Sequence, residues 1–173
     1  MKTFDRSEKR SGKKDILLVL DANEYIFGLS ELKDTSVKLL DVLPFVEGLK
    51  VIVPSTVLDE ATRNLSYIHS ILVTKFNDLI YGYEKFSVVS DAGLPQSLVE
   101  EYQRLGLPSE ADARIGAFTE WVKADFLVSE NQHFLKDLKT TAYQVIDAAE
   151  ALQRIEANSL RDAGQSIVTT HTG

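Results

Sequence analysis

The sequence predicts an α/β fold: a single domain in which a parallel β-sheet carries helices on both faces. Three observations predict it. Ile16-Leu17-Leu18-Val19-Leu20 is an unbroken apolar run between Lys13-Lys14 and Asp21-Ala22-Asn23, as expected for a strand buried on both faces. Further short apolar runs alternate along the chain with segments at helical spacing, the pattern of βαβ units. The chain has 173 residues, of which 44% are hydrophobic, enough for one domain with a sizeable core.

The elements follow in order. Glu24 to Leu29 reads as a helical turn ending near Gly28. Thr35 to Leu49 reads as a helix with Asp34 as its N-cap, kinked or restarted at Pro44 and ended by Gly48. Val51-Ile52-Val53 is a second strand, stopped by Pro54. Ser55 caps the next helix. In that helix Leu58, Ala61, Leu65, Ile68, Leu72 and Phe76 recur every three or four positions, so one long amphipathic helix is expected up to about Tyr81. Phe86 to Val89 is a third strand, and Leu94 to Leu105 a helix terminated by Gly106. Pro108-Ser109 opens a helix from Glu110 to Lys123 with Ala111, Ile115, Phe118 and Val122 as its buried stripe. Asp125 to Ser129 is a strand, His133 to Leu138 a short helical stretch, Tyr143 to Ile146 the last strand. Asp147 caps a final helix to about Ile155. Residues 15–157 form the domain, between a basic tail (1–14) and a loose tail (158–173).

Composition excludes several classes. No apolar run of about 18 residues occurs, so no transmembrane helix is expected. Met1 to Lys14 has no apolar core of a secretory signal. There is no cysteine, hence no disulfide framework and no thiolate zinc site. A cytoplasmic location is the expectation. The net charge of −7 argues against a protein that coats nucleic acid by charge alone, but not against an enzyme that meets a polyanion through bound cations. The first tail gathers Lys2, Arg6, Lys9, Arg10, Lys13 and Lys14. It reads as a solubilising terminus, with contact to phosphates as the alternative.

Polar residues cluster where strands end. The first strand leads into Asp21 and Asn23, the second into Ser55 and then Asp59-Glu60, the fourth into Ser129 and Asn131. Asp112 lies in the first turn of the helix before the fourth strand, and such a helix starts at the carboxyl edge of the sheet. In open α/β sheets this edge holds the ligand crevice. Asp21, Glu60 and Asp112 gathered there repel one another unless a cation offsets the charge. Oxygen-only ligands favour Mg²⁺ or Mn²⁺ over zinc. Taken singly, each acid has a local reading: Asp21 as an N-cap, Glu60 and Asp112 as first-turn acids favoured by the helix dipole. Arg63 and Arg114, near Glu60 and Asp112, are candidates to hold backbone phosphates, against an ion pair with the neighbouring acid.

Four segments together resemble the PIN domain family of nucleases: Leu18-Val19-Leu20-Asp21-Ala22-Asn23, Val53-Pro54-Ser55-Thr56-Val57-Leu58-Asp59-Glu60, Asp112-Ala113-Arg114-Ile115, and Ala124 to Leu135 with its Val128-Ser129-Glu130-Asn131-Gln132-His133-Phe134. They occur in the family's order over most of the chain. The resemblance implies a three-layer α/β/α fold and a metal-dependent endoribonuclease. It implies that Asp21, Glu60 and Asp112 are the metal-binding, catalytic acids. Asn131 stands where many members have a fourth acid, so its carbonyl is the fourth ligand and a second metal would be held more weakly or not at all. Ser129 supports the first Asp, beside Asn23. Bound metal would activate water and neutralise the phosphate, and Asp112 or Glu60 would orient the water or take its proton. The products would carry a 5′-phosphate and a 3′-hydroxyl. The resemblance also implies an RNA substrate, a homodimer, and the toxin of a VapC-type pair silenced by an antitoxin, although this chain is longer than typical toxins.

Other classes fit less well. A haloacid dehalogenase-type phosphatase needs an acid where Asn23 stands. A receiver domain needs an isolated phospho-acceptor Asp after a central strand, and Asp91 after Val88-Val89-Ser90 is a poor one. No Gly-rich phosphate loop occurs, and His69, His133 and His171 have no metal-ligand spacing. The alternative kept is a catalytically weakened PIN-like RNA- or protein-binding module, favoured by Asn131.

Overall fold

A computed structural model describes residues 14–157; the two tails fall outside the described residues, apart from Lys14. Five strands form one sheet: β1 (Ile16–Leu20), β2 (Leu49–Pro54), β3 (Phe86–Val89), β4 (Phe126–Val128) and β5 (Gln144–Ile146). All four pairings are parallel, in the order β3-β2-β1-β4-β5. The apolar run that begins β1 is central for this reason: Leu17 to Leu20 are buried under helices on both sides.

Among the described residues seven α-helices connect and cover the strands: α1 (Ala22–Leu29), α2 (Asp34–Val42), α3 (Ser55–Ile68), α4 (Ser70–Gly82), α5 (Gln96–Arg104), α6 (Glu110–Trp121) and α7 (Ala148–Glu156). The chain runs outward from β1 through β2 to β3, then crosses back to place β4 on the other side of β1. Right-handed crossovers in opposite directions put their helices on opposite faces. Accordingly α1 packs on α2, α3 and α4, and α2 on α7, while α5 pairs with α6. The result is three layers, α/β/α.

Several local expectations need correction. Asp34 is the first residue of α2, and Lys33 holds the N-cap position. The helix expected to run to Leu49 ends at Val42 and continues as a 3₁₀ turn, Leu43–Phe45, around Pro44. Ser55 is not a cap either: Pro54 occupies that position without a side-chain cap, and Ser55 opens the helix. The long helix to Tyr81 is two helices. His69 is extended, and its Nδ1 accepts the Ile71 N–H at 3.1 Å to start α4. Periodicity could not show the break because Leu65 and Leu72, seven apart, both stay buried across it, whereas Ile68 at the joint is exposed. In α6 the buried set is Ala113, Ile115, Gly116, Ala117, Phe118 and Thr119. Ala111 is exposed and Val122 half-buried, because α6 packs on α5 as well as on the sheet. A Cβ at Gly116 would lie 2.8 Å from both Tyr102 and Leu107, so this close approach requires glycine. The segment after β4 makes one π-type turn, His133–Asp137. Asp147 caps α7 as expected, accepting the Glu150 N–H at 2.8 Å.

Candidate active site

The topology determines where the polar strand ends meet. After β1 the chain departs toward β2; after β4 it departs toward β5. The connections leave in opposite directions from neighbouring strands, and this switch point opens a crevice at the carboxyl edge. Leu20 pairs with Val128 in register, so the next residues, Asp21 and Ser129, face each other across it. The Ser129 hydroxyl donates to Asp21 Oδ2 at 2.9 Å. Both residues are buried.

Asp21 holds the N-cap position of α1, yet its side chain does not cap that helix. Its local reading therefore fails. Burial pushes its carboxyl up to about 6; the Ser129 hydroxyl opposes this, while the charges of Glu60 and Asp112 add to it. Acids 39 and 91 positions away in sequence thus lie close enough to act on Asp21. Glu60, half-buried on α3, is outside the first turn of its helix, which contains no acid. The helix dipole does not account for it. Asp112 is in the first turn of α6, where the Ser109 hydroxyl accepts its N–H at 3.4 Å.

Asn131 joins the group through its amide, which donates to Asp112 Oδ2 at 3.4 Å. Its carbonyl already accepts the His133 N–H at 2.9 Å, and flipping the amide would set donor against donor. Its own N–H donates to the Ser129 hydroxyl at 3.0 Å, so Ser129 joins Asn131 to Asp21. Asn23 is half-buried on the first turn of α1. Arg63 is exposed on α3, without an ion-pair partner among the described residues. Arg114 turns away from Asp112: its Nη2 lies 3.8 Å from Asp91 Oδ2.

The donors are all oxygens, suited to a hard cation that keeps several waters. Among the described residues no three Asp, Glu, His or Cys side chains close into a ready-made cage. The three acids gathered about Asp21 suit an ion that completes its coordination with water. A separate groove, lined by Leu40, Phe45, Tyr81 and Tyr83 among others, lies beside the segments that lead into β2 and β3, at the opposite end of the strands.

The chain is similar to a chain in the crystal structure of VapBC2 from Rickettsia felis bound to a DNA fragment from their promoter. The match has 14% identity and a TM-score of 0.59, and covers 76% of this chain and 98% of that one. The fold is that of a PIN domain. A second match, PAE2754 from Pyrobaculum aerophilum, has 19% identity and a TM-score of 0.48 over 85% of this chain and 94% of that one. No family model and no curated protein matches. The PIN-domain fold agrees with the order of the four segments, and its sheet carries them to one edge. No helix among the described residues is long and apolar enough to cross a membrane.

One group beside the rim was missed in the sequence. Glu24, on α1, is fully buried. Its Oε2 accepts the Ser36 hydroxyl at 2.8 Å, and Oε1 has no donor to accept from. Burial, then the proximity of Glu130, pushes its carboxyl up to about 9. Carried as the acid, Glu24 has a proton to offer toward Glu130, the neighbour whose charge raises it. Burial also raises Glu130, but the Glu24 proton, Lys33 and the Ala148 N–H outweigh it and hold Glu130 low. The only trace in sequence is an acid set among the apolar residues of Ala22 to Leu29. The stability that the Glu24 acid contributes is full below about 4.5 and is lost as pH rises through about 9. Glu24→Gln keeps the donor and removes the titration. Thermal melts at pH 7 and pH 10 are expected to show the wild type losing several degrees at the higher pH and the variant losing little. Equal losses would place the proton elsewhere.

Proposed function

We propose that this PIN-domain chain is a metal-dependent ribonuclease, with Asp21, Glu60 and Asp112 holding Mg²⁺ or Mn²⁺ at the switch-point crevice. The observation that carries the reading is the placement of Asp21, buried at the end of β1 and held by the Ser129 hydroxyl at 2.9 Å, with Glu60 and Asp112 close enough to add their charges to it. A buried acid burdened by two like charges is disfavoured without a cation, and a fold has little reason to gather the three otherwise. When bound, the ion supplies Lewis-acid activation of water and neutralises phosphate charge.

The chain's own residues do the remainder. Ser129 holds Asp21 on Oδ2 and orients its carboxylate into the crevice. Asn131 holds Asp112 on Oδ2, and Asp112 Oδ1 is left to take the proton of the attacking water. In this reading Asn131 orients Asp112 through its amide group, and its carbonyl, which accepts the His133 N–H, keeps a second lone pair for the ion. Arg63, exposed on the helix that carries Glu60, is the cation left to meet a backbone phosphate. An antitoxin partner is part of the proposal, supported by the likeness to the VapBC2 structure.

Cleavage of single-stranded RNA with Mn²⁺, Mg²⁺ or chelator tests the reading. Glu60→Gln is expected to lower metal-dependent cleavage by on the order of 100-fold, at a melting temperature within a few degrees of the wild type. Cleavage that persists in chelator, or that Glu60→Gln leaves unchanged, would remove the site. The uncharged Asn131 supports a second reading, a binding module: RNA retained on a filter without cleavage under any metal would favour it.

A further inference from the structure

Asp91 follows β3 and takes no part in the acidic crevice, yet it is among the few buried charged residues, at 5% exposed. Its Oδ1 accepts the Ser55 hydroxyl at 2.8 Å and its Oδ2 the Thr56 hydroxyl at 2.6 Å. Its own N–H donates back to Ser55 Oγ at 3.2 Å. Arg114 Nη2 lies 3.8 Å from Oδ2 and donates to the Asp91 carbonyl at 3.4 Å. One carboxylate therefore grips two elements. Ser55 and Thr56 are the first two residues of α3, which bears Glu60. Arg114 sits on α6, two residues after Asp112.

The grip is placed where it controls geometry. α3 begins after Pro54 with neither a side-chain cap nor an acid in its first turn. The Asp91 carboxylate supplies the acid from outside the helix: it accepts the hydroxyls of the first two helical residues, Ser55 and Thr56, and sets negative charge near the positive end of the dipole. α3 and α6 belong to different layers, so packing within one layer does not set the distance between their starts. Asp91 spans them at the rim.

We propose that Asp91 is a positioning residue for the cation site: it sets the separation of Glu60 and Asp112 by tying the start of α3 to Arg114 of α6. The inference rests on the reading of Asp21, Glu60 and Asp112 as the metal-holding acids. It also gives Arg114 a different task from holding phosphate, since its guanidinium is committed to Asp91. A hard cation tolerates little error in ligand placement, and residues that orient ligands commonly change metal affinity by 10- to 100-fold.

The test is Mn²⁺ binding, followed by the electron paramagnetic resonance signal of free Mn²⁺, on the full chain. Asp91→Asn keeps the shape and removes the charge that pairs with Arg114. It is expected to weaken Mn²⁺ binding about tenfold or more, with the far-ultraviolet dichroism unchanged. RNA cleavage at saturating Mn²⁺ is expected to recover to within about threefold of wild type, which separates positioning from catalysis. Ser55→Ala with Thr56→Val is the second variant, because it frees the start of α3 and leaves Asp91 paired with Arg114. It is expected to weaken Mn²⁺ binding in the same direction, and it decides the matter if Asp91→Asn does not fold. Wild-type Mn²⁺ affinity in the folded variants would overturn the role of Asp91 while leaving the acidic site standing. A wild-type protein that binds no Mn²⁺ would instead overturn the site, and the role of Asp91 with it.

Discussion

Asp21→Asn is expected to lower RNA cleavage by on the order of 100-fold or more and, in the absence of metal, to make the protein more stable. The two effects have one cause. The Asp21 carboxyl is raised from 3.8 to about 6, first by burial and then by Glu60 and Asp112 against the pull of Ser129. A carboxyl raised on folding favours the folded state most when protonated. That contribution is full below about 3.8 and is lost as pH rises through about 6. Two pKa units correspond to about 3 kcal/mol at most, so the neutral amide should gain about 1–3 kcal/mol above pH 6 and almost nothing at pH 4. Asn keeps an acceptor for the Ser129 hydroxyl, so little packing is lost. Saturating Mn²⁺ should reverse the order, because the ion stabilises the folded state that binds it and leaves the amide variant behind. Thermal melts of both proteins at pH 4 and 7.5, with and without Mn²⁺, check all four arms. A variant less stable than wild type at pH 7.5 without metal, with cleavage intact, would show that Asp21 is an ordinary structural acid.

Gly106→Ala is expected to cost on the order of 3 kcal/mol or more, the largest stability loss for the smallest change in volume. Gly106 has φ +125°, in the region that favours glycine, and a Cβ there would sit 2.2 Å from the Asp137 carbonyl oxygen and 2.8 Å from its carbon. Backbone, unlike a flexible side chain, cannot swing aside. The contact matters for the whole sheet. Gly106 ends the turn after α5, and the segment it meets joins β4 to β5. There Lys139 N–H donates to the Leu105 carbonyl at 2.8 Å, and Tyr102 and Thr140 share a hydrogen bond of 3.0 Å. For a chain of this length the expected fall in melting temperature is about 6–12 °C. Gly82, where a Cβ would meet nothing within 4 Å, is the control: Gly82→Ala should leave the melt within about 2 °C. A wild-type melt for Gly106→Ala would mean that the 137–140 segment moves freely away from α5.

Much of this fold is legible in the chain because its signals are local. A strand buried on both faces must be continuously apolar, and Ile16 to Leu20 is. A helix needs an amphipathic period and a start, and Ser109 before Glu110 and Asp147 before Ala148 supply the starts. Phe86 to Val89 appears with the bounds read from its apolar run. Local signals failed where a side chain served something distant. Ser55 has the chemistry of a cap, but its hydroxyl goes to Asp91. His69 interrupts a helix whose apolar period runs on unbroken. Arg114 has acidic neighbours in sequence, yet its partner is 23 positions away.

The candidate site divides in the same way. That acids would stand at strand ends and at a helix start was readable from Asp21, Glu60 and Asp112 themselves, since a parallel sheet fixes which end of each element meets the rim. That Asp21 would meet Ser129 depended on β4 lying beside β1, 108 positions later, rather than at an outer edge. The pairing of the buried Glu24 with Glu130 and the Asp91 clamp depend on the same ordering. A sequence alone therefore determined the elements of this protein, their direction and the edge on which its acids stand, because those follow from backbone periodicity and side-chain chemistry within a few residues. Only the tertiary structure decided which groups touch, and hence which carboxyl keeps its proton, because burial and the neighbouring charges are set by strands and helices that the chain order separates.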